Sequence, residues 1–325
     1  MILRGINFGP AWLGSGAAGF FGEGYWFHDW LRLVFYNSFC PEEFTFVAKT
    51  TTIESRLGKE YEEEGWMALN GDFSPRDKRP DCIILGLPEF IHGDALNAVG
   101  LAGPGAFPLF RRDEWQNRMK PFFLSFMTVK KGEEAVSDME KFRKLLKAYL
   151  PDFRAPVGLQ INLSCPNAGV NLEEAARDAL IALDIFESLG IPLVPKFNLL
   201  TPVEVVKVLA EHPACDAIHT TNTIPYGKHE KIRWRWGDVS PLAKYGGGGY
   251  SGAQLFPLVC EWVKEARAAG ITVPINVGGG ISHPRQIDQV AEVGGNGISI
   301  ATVVAQCPWK LRSILERAHQ VFPTN

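Results

Sequence analysis

The chain has 325 residues, 46% hydrophobic and 21% charged, with 33 glycines, a balance that fits a globular protein built as one large α/β barrel or two smaller domains. A formal net charge of −3 gives no electrostatic ground for binding nucleic acid or an anionic membrane. No stretch holds 18 uncharged apolar residues in a row, and the apolar start FGPAWLGSGAAGFFG is broken by Pro10 and repeated glycines, so neither a spanning helix nor a signal peptide is expected.

In chain order, the first strand is expected at Pro10–Gly14 and the second at Phe44–Thr50. From residue 121 short apolar runs alternate regularly with helical stretches. The runs are Pro121–Phe126, Val157–Leu163, Pro192–Phe197, Ala214–Thr220, Thr272–Val277 and Gly295–Ile300. Helices are expected at Glu133–Tyr149, Glu173–Leu189, Pro202–Glu211, Leu255–Ala269 and Pro284–Val293. Near-continuous apolar strands alternating with helices indicate a parallel sheet covered by helices. Eight such units predict a (β/α)8 TIM barrel, one α/β domain over residues 1–325, since no linker or low-complexity tract interrupts them. Two stretches break the rhythm, the charged segment 55–80 and the segment 225–249 containing KIRWRWGDVSPLAKYGGGG. Loops of that length are lids, binding loops or disordered. The acidic run Glu62–Glu64 reads as a solvated face rather than a metal site.

Six cysteines, at 40, 82, 165, 215, 260 and 307, are scattered without a CxxC pair or a histidine-rich partner. No disulfide framework, zinc site or iron–sulfur site is expected from them, and a reducing, cytoplasmic setting is the default.

In such a barrel the C-terminal strand ends carry the active face. Here they read Gly14-Ser15-Gly16, Lys49-Thr50-Thr51, Asn162 followed by Ser164-Cys165-Pro166-Asn167, Lys196-Phe197-Asn198, and His219-Thr220-Thr221-Asn222-Thr223. Strand seven is followed by Gly278-Gly279-Gly280 and strand eight by Ala301-Thr302. Each polar residue alone has a structural reading. Six polar strand ends meeting at one mouth point to a ligand site. The glycines after strands seven and eight, with GGGGYSG at 246–252, read as a phosphate clasp built from backbone N–H groups, against the alternative of flexible turns. Cys165 alone would be packing, the usual place of a free cysteine.

These residues carry a resemblance. GPAWLGSG, VAKTTT, ALNAVGLAGPG, LQINLSCPNAG, PKFN, TTNT, GGGYSG, NVGGGI and SIATVV, spread from Asn7 to Val304, make the chain similar to the dihydroorotate dehydrogenases, flavin mononucleotide (FMN) enzymes on a (β/α)8 barrel. NLSCPN and NAVGL are the specific motifs. The resemblance implies that Cys165 is the catalytic base of the soluble class, acting with Lys49. It implies that Lys49, Asn97, Gly100, Leu101, Asn162, Asn167, Asn222 and Thr223 surround the substrate. Ser15, Lys49, Thr50, Asn162, Lys196, Gly249, Gly279, Gly280, Ala301 and Thr302 fall on flavin and phosphate positions. It also implies a homodimer, and a separate electron-transfer subunit if NAD is the oxidant.

Chemistry agrees with those roles. Oxidising (S)-dihydroorotate to orotate removes a proton from C5 and a hydride from C6, so a base must face the substrate opposite the flavin. A cysteine thiolate favoured by nearby lysine can serve. Asparagine amides both donate and accept, which reads a pyrimidine edge without added charge. Two places depart from the family pattern. GKEYEEEGW stands where the family has a Gly-Asn-Pro-x-Pro-Arg turn, and Ala102 and Gly103 replace a proline and an asparagine. The expected function is therefore dihydroorotate oxidation. Oxidation of another cyclic amide or pyrimidine, and a flavin- or phosphate-binding barrel without turnover, are the alternatives.

Overall fold

The computed structural model describes residues 1–57, 65–85, 93–163 and 172–323. Thirteen strands are described: β1 (Ile2–Leu3), β2 (Ile6–Asn7), β3 (Ala11–Leu13), β4 (Ile83–Ile84), β5 (Asp94–Asn97), β6 (Phe122–Phe126), β7 (Val157–Asn162), β8 (Leu193–Phe197), β9 (Ile218–Thr220), β10 (Ile224–Pro225), β11 (Gly249–Gly252), β12 (Ile275–Val277) and β13 (Gly297–Ile300). Seven of them form one parallel sheet in the order β3-β13-β12-β9-β8-β7-β6.

The segment 45–51 joins its two edges. Its backbone bonds β3 through Thr45 N to Ala11 O and Leu13 N to Thr45 O, and β6 through Ala48 N to Phe123 O and Phe123 N to Phe46 O, all at 2.9 Å. The second expected strand thus consists of isolated bridges, Trp12 to Thr45 and Val47 to Phe123, and its hydrogen bonds complete the (β/α)8 ring. The five expected helices occur within two residues of the expected ends, at Gly132–Tyr149, Leu172–Glu187, Val203–Ala210, Leu255–Ala268 and Arg285–Glu292. No described helix is long and apolar enough to cross a membrane.

The barrel is packed from its floor. Met1, Leu3, Phe8, Trp12, Val47, Phe123, Val194 and Ala217 form one buried cluster, with Phe8 stacked on Phe123 at 4.2 Å and Trp12 tilted against it at 4.5 Å. The β1–β2 hairpin brings Leu3 and Phe8 to this cluster, so the short N-terminal strands plug the floor. A larger apolar layer packs the strands' outer faces against the helices, including Phe126, Phe142, Phe186, Val206, Val259 and Ile287.

The segment 225–249 is built into the structure. β10, β11, β5 and β4 form an antiparallel sheet, and a second apolar cluster on it includes Leu96, Ala102, Ile224, Ile232, Leu242 and Tyr250, with Tyr226, Trp234 and Trp236 packed around. Met67, from the other irregular segment, lies in the same cluster. The polar-looking sequence is thus a cap whose aromatic residues are its core. Glu62–Glu64 lie outside the described residues.

Asp94 ties this cap down. Its carboxylate is fully buried, accepts from the Tyr250 hydroxyl and pairs with Arg235 from the cap. Its carbonyl accepts from Gln306 Nε2 at 2.5 Å. Asp94→Ala leaves the guanidinium and phenol without their acceptor, and should destabilise the protein by about 3 kcal/mol, the low end for a broken buried pair because Arg235 still reaches water. Urea denaturation would read the loss, and trypsin should cut faster within residues 226–248. An unchanged midpoint and cleavage rate would show that the pair does not hold the cap.

Candidate active site

Side chains alternate between the faces of a strand, so the residue two beyond an inward apolar one also points inward. Two residues past Phe123 lies Ser125, past Val194 lies Lys196, past Ala217 lies His219, and past Val47 lies Lys49. All four are buried, as are Gln160, Asn162, Asn276 and Ser299. Above an apolar floor the barrel therefore carries a polar layer.

Buried polar groups need partners; the Gln160 amide has none, but most of the others find one another across strands. The Ser15 hydroxyl donates to the Ala48 carbonyl at 2.8 Å and lies 2.9 Å from the Thr50 hydroxyl. The Thr50 hydroxyl lies 2.9 Å from that of Ser125 and accepts from Asn162 Nδ2 at 3.3 Å. The Asn162 amide oxygen accepts from Asn222 Nδ2 at 2.8 Å, and Asn222 Oδ1 accepts from the Thr223 N–H at 3.0 Å. One chain of hydrogen bonds thus runs from the end of β3 to the end of β9.

A cavity of about 400 Å³ opens at these strand ends, lined by Ser15, Asn97, Lys196, His219, Asn222, Thr223, Gly279, Gly280, Ser299, Ala301, Thr302 and Lys310 among others. Among the described lining residues two are lysines and none is an aspartate or glutamate. A larger depression of about 620 Å³ lies against Lys228, Lys231, Glu261 and Glu265. Charges of both signs meet there, away from the strand ends, so the smaller cavity is the candidate site.

Both barrel lysines are strained electrostatically. Lys196 is wholly enclosed, and burial pushes its pKa down to about 8. Burial likewise lowers Lys49 to about 7, against a smaller opposing pull from Glu23 and Cys82. Lys49 lies 4.7 Å from the centroid of the Phe20 ring and donates to the Ala102 carbonyl. A buried ammonium without a carboxylate is stabilised by any anion that enters.

The glycines after β12 have no alternative residue. Gly279 has φ +101° and Gly280 φ +72°, and a Cβ on them would stand 2.7 Å from Thr221 Cγ2 and 2.5 Å from the Gly252 carbonyl oxygen. Gly249 has a packing role. It pairs with Asn97 across the cap sheet, and a Cβ there would lie 2.2 Å from the Thr223 hydroxyl, so its smallness makes room for Thr223.

The structure brings together Ser15, Asn97, Lys196, Asn222, Thr223, Gly279, Gly280, Ala301 and Thr302 at the cavity. Thr50 and Asn162 support it from behind through hydrogen bonds. Lys49, Gly100 and Leu101 do not line this cavity: Lys49 is buried against Phe20 and Ala102, while Arg56 Nε donates to the Gly100 carbonyl at 3.0 Å and Gly100 and Leu101 both have positive φ, +66° and +59°. Cys165 and Asn167 lie outside the described residues. Sequence reasoning missed Lys310, Ser299 and Asn276, and it left His219 without a role. Period-two counting from Ala217 finds His219, and only pairing between strands sets Asn276 beside His219 and Ser299 beside Trp12. Nothing local marks Lys310, which arrives from a 3-10 turn, Pro308–Lys310, far along the chain. Among the described residues no group of three or more His, Cys, Asp or Glu is placed to hold a metal ion.

A cavity whose described lining has two lysines, glycine N–H groups and no carboxylate should bind inorganic phosphate. Millimolar phosphate is expected to raise the thermal midpoint by a few degrees, in line with mass action on a native-state site. Lys310→Ala should remove most of that rise. An equal rise in the variant would exclude Lys310 from the anion site.

No family model matches the chain, and no curated protein was found similar to it. Solved structures are similar. The chain superposes on DHODH from Eimeria tenella in complex with ferulenol with a TM-score of 0.61 at 17% identity, covering 98% of this chain and 83% of the other. The ligand-free enzyme of the same organism gives 0.62 at 18% identity, over 99% and 86%. The likeness expected from the sequence is matched in three dimensions over nearly the whole chain: it has the fold of a dihydroorotate dehydrogenase.

Proposed function

We propose that this chain is an FMN-dependent oxidoreductase that converts (S)-dihydroorotate to orotate. One observation carries the reading: a cavity at the strand ends with no carboxylate among its described lining residues, and with two lysines, amide side chains and a glycine turn on its walls. The phosphate of FMN fits Gly279, Gly280, Ala301, Thr302 and Lys310, where two positive-φ glycines leave no room for a Cβ. Lys196, Ser15 and Thr50 would hold the ring system, with Asn162 behind them. Bound flavin supplies the hydride acceptor.

The chain's own residues do the rest. Asn97 and Asn222 present amides to the pyrimidine edge, and Asn222 is kept in one orientation because Asn162 and the Thr223 N–H occupy its other side. Thr223 lines the same wall. Lys49 pairs with the substrate carboxylate, and the Gly100–Leu101 turn closes over the rim. Cys165, three residues beyond the end of β7, takes the C5 proton, with Asn167 beside it in sequence.

A second reading is favoured at the rim. Gly103 has no space for a larger side chain, since a Cβ there would stand 2.9 Å from Phe20 Cζ. Phe20 thus fills the place where the family carries an asparagine, and a related cyclic amide or pyrimidine is the alternative substrate.

Anaerobic mixing of the FMN-loaded protein with dihydroorotate tests both. Bleaching of the flavin absorbance is expected, and Cys165→Ser should keep the flavin but slow bleaching at least a hundredfold near neutral pH, the contribution of a positioned base. A flavin that dithionite reduces and dihydroorotate does not would exclude this substrate and leave the second reading. A protein that takes up no FMN would exclude the flavin reading itself.

The pH dependence follows from Lys49. Burial lowers its pKa to about 7, so it is charged below that pH and neutral above it. A carboxylate binds the charged form, and above pH 7 binding must draw in one proton. The dissociation constant of an anionic substrate should be flat below pH 7 and rise about tenfold per pH unit above it, until Lys49 is neutral in the complex as well. Lys49→Met should bind weakly with no such rise, as read by titration of flavin absorbance. A flat profile in the unaltered protein would remove Lys49 from the carboxylate site.

A further inference from the structure

Ala102 and Gly103, where the chain departs from the family pattern, converge on Lys49. The Lys49 ammonium donates to the Ala102 carbonyl and lies 4.7 Å from the centroid of the Phe20 ring. Gly103 lets that ring lie there, since a Cβ on it would stand 2.9 Å from Phe20 Cζ. Both walls of this seat are fastened. Behind Ala102, the Arg56 N–H donates to the Gly103 carbonyl at 2.8 Å, and a Cβ on Gly65 would stand 2.2 Å from Ala102 Cα, so bare backbone packs against the turn. Behind Phe20, the Glu23 carboxylate accepts from the Phe20 N–H at 2.9 Å and the Phe21 N–H at 2.7 Å, and Trp115 Nε1 donates to the Phe20 carbonyl at 2.6 Å. The same turn grips the lysine itself, because the Gly19 carbonyl accepts from the Lys49 N–H at 3.0 Å. Two titratable groups act on the ammonium, Glu23 from the turn after β3 and Cys82 just before β4. The Glu23 oxygens are taken by the two N–H groups, and burial raises the pKa of the Cys82 thiol and so keeps it neutral.

We propose that Phe20 is the positioning residue of Lys49: its ring face, with the Ala102 carbonyl opposite, is a neutral seat that fixes the ammonium and favours its charged form without cancelling the charge. An aromatic face attracts a cation through the ring quadrupole, and most strongly where water is excluded. Here Phe20 is 1% exposed and Lys49 8%. An aliphatic side chain in place of the ring would offer the ammonium nothing, and burial would drive it further toward the neutral amine. A carboxylate there would hold it but pair with it. The consequence for chemistry rests on reading Lys49 as the partner of the substrate carboxylate. An ammonium has three donors and the seat uses one, so the others remain for an incoming anion.

The test reads the titration of Lys49 itself, in substrate-free protein carrying lysine labelled with 13C at Cε, the resonance being assigned by its loss in Lys49→Met. Replacing Phe20 by 4-fluorophenylalanine and then by 3,4,5-trifluorophenylalanine drains the ring face of negative charge while nearly keeping its shape. The midpoint should fall stepwise, by about one pH unit with three fluorines, the scale of a desolvated cation–π contact. A ring that merely filled space would leave it where it is. Gly103→Ala, which pushes the ring off the lysine, should lower the midpoint as well and serves if a fluorinated chain does not fold. An unmoved midpoint in the folded variants, or a rise, overturns the inference. The outcome is separable from the functional reading. A substrate affinity that does not depend on pH would end the carboxylate role of Lys49, while the fluorine series still decides the seat. An unmoved midpoint would end the seat and leave the carboxylate role standing.

Discussion

Everything at the mouth of this barrel depends on the aromatic floor below it. Phe8, Trp12 and Phe123 interlock with Val47, Val194 and Ala217 and pin the inward register of the strands that carry them. Because side chains repeat every two residues, that register decides which residues face the interior one layer up. Lys49, Ser125, Lys196 and His219 are inward for this reason. A slip of one residue in any strand would move its polar group into the apolar layer under the helices.

The polar layer is expensive to keep without a ligand. Two ammonium groups lie in a barrel where burial pulls both pKa values down, to about 7 and about 8. The amides satisfy one another through the Ser15–Thr50–Asn162–Asn222 chain, so they are preorganised. Among the described residues lining the cavity no carboxylate faces Lys196. Such an interior is stabilised by whatever negative charge enters it, and selectivity for anions follows from burial rather than from net charge, which is slightly negative overall.

The cap closes this arrangement from above. Its antiparallel sheet shares Asn97 and Thr223 with the site, because β5 ends in Asn97 and β10 begins just after Thr223. Asp94, three residues before Asn97, anchors Tyr250 and Arg235. Cap stability and the placement of the asparagine that faces the cavity are therefore one mechanical unit.

Read alone, the sequence determined the repeating α/β alternation, the five long helices and most of the residues at the strand ends, because apolar periodicity and strand-end polarity are local signals. The ring closure by residues 45–51, the cap and the clearance role of Gly249 were decided only by tertiary structure. In 45–51 the hydrogen bonds go to β3 and β6, partners far away in sequence, and no regular strand pattern is needed. In 225–249 aromatic residues among charges look like a solvated loop until β5 and β11 supply a surface to bury them. Lys310 and the His219–Asn276 contact belong to the same class. Each is a meeting of side chains from separate strands or turns, and proximity of that kind is created by the register of the closed barrel.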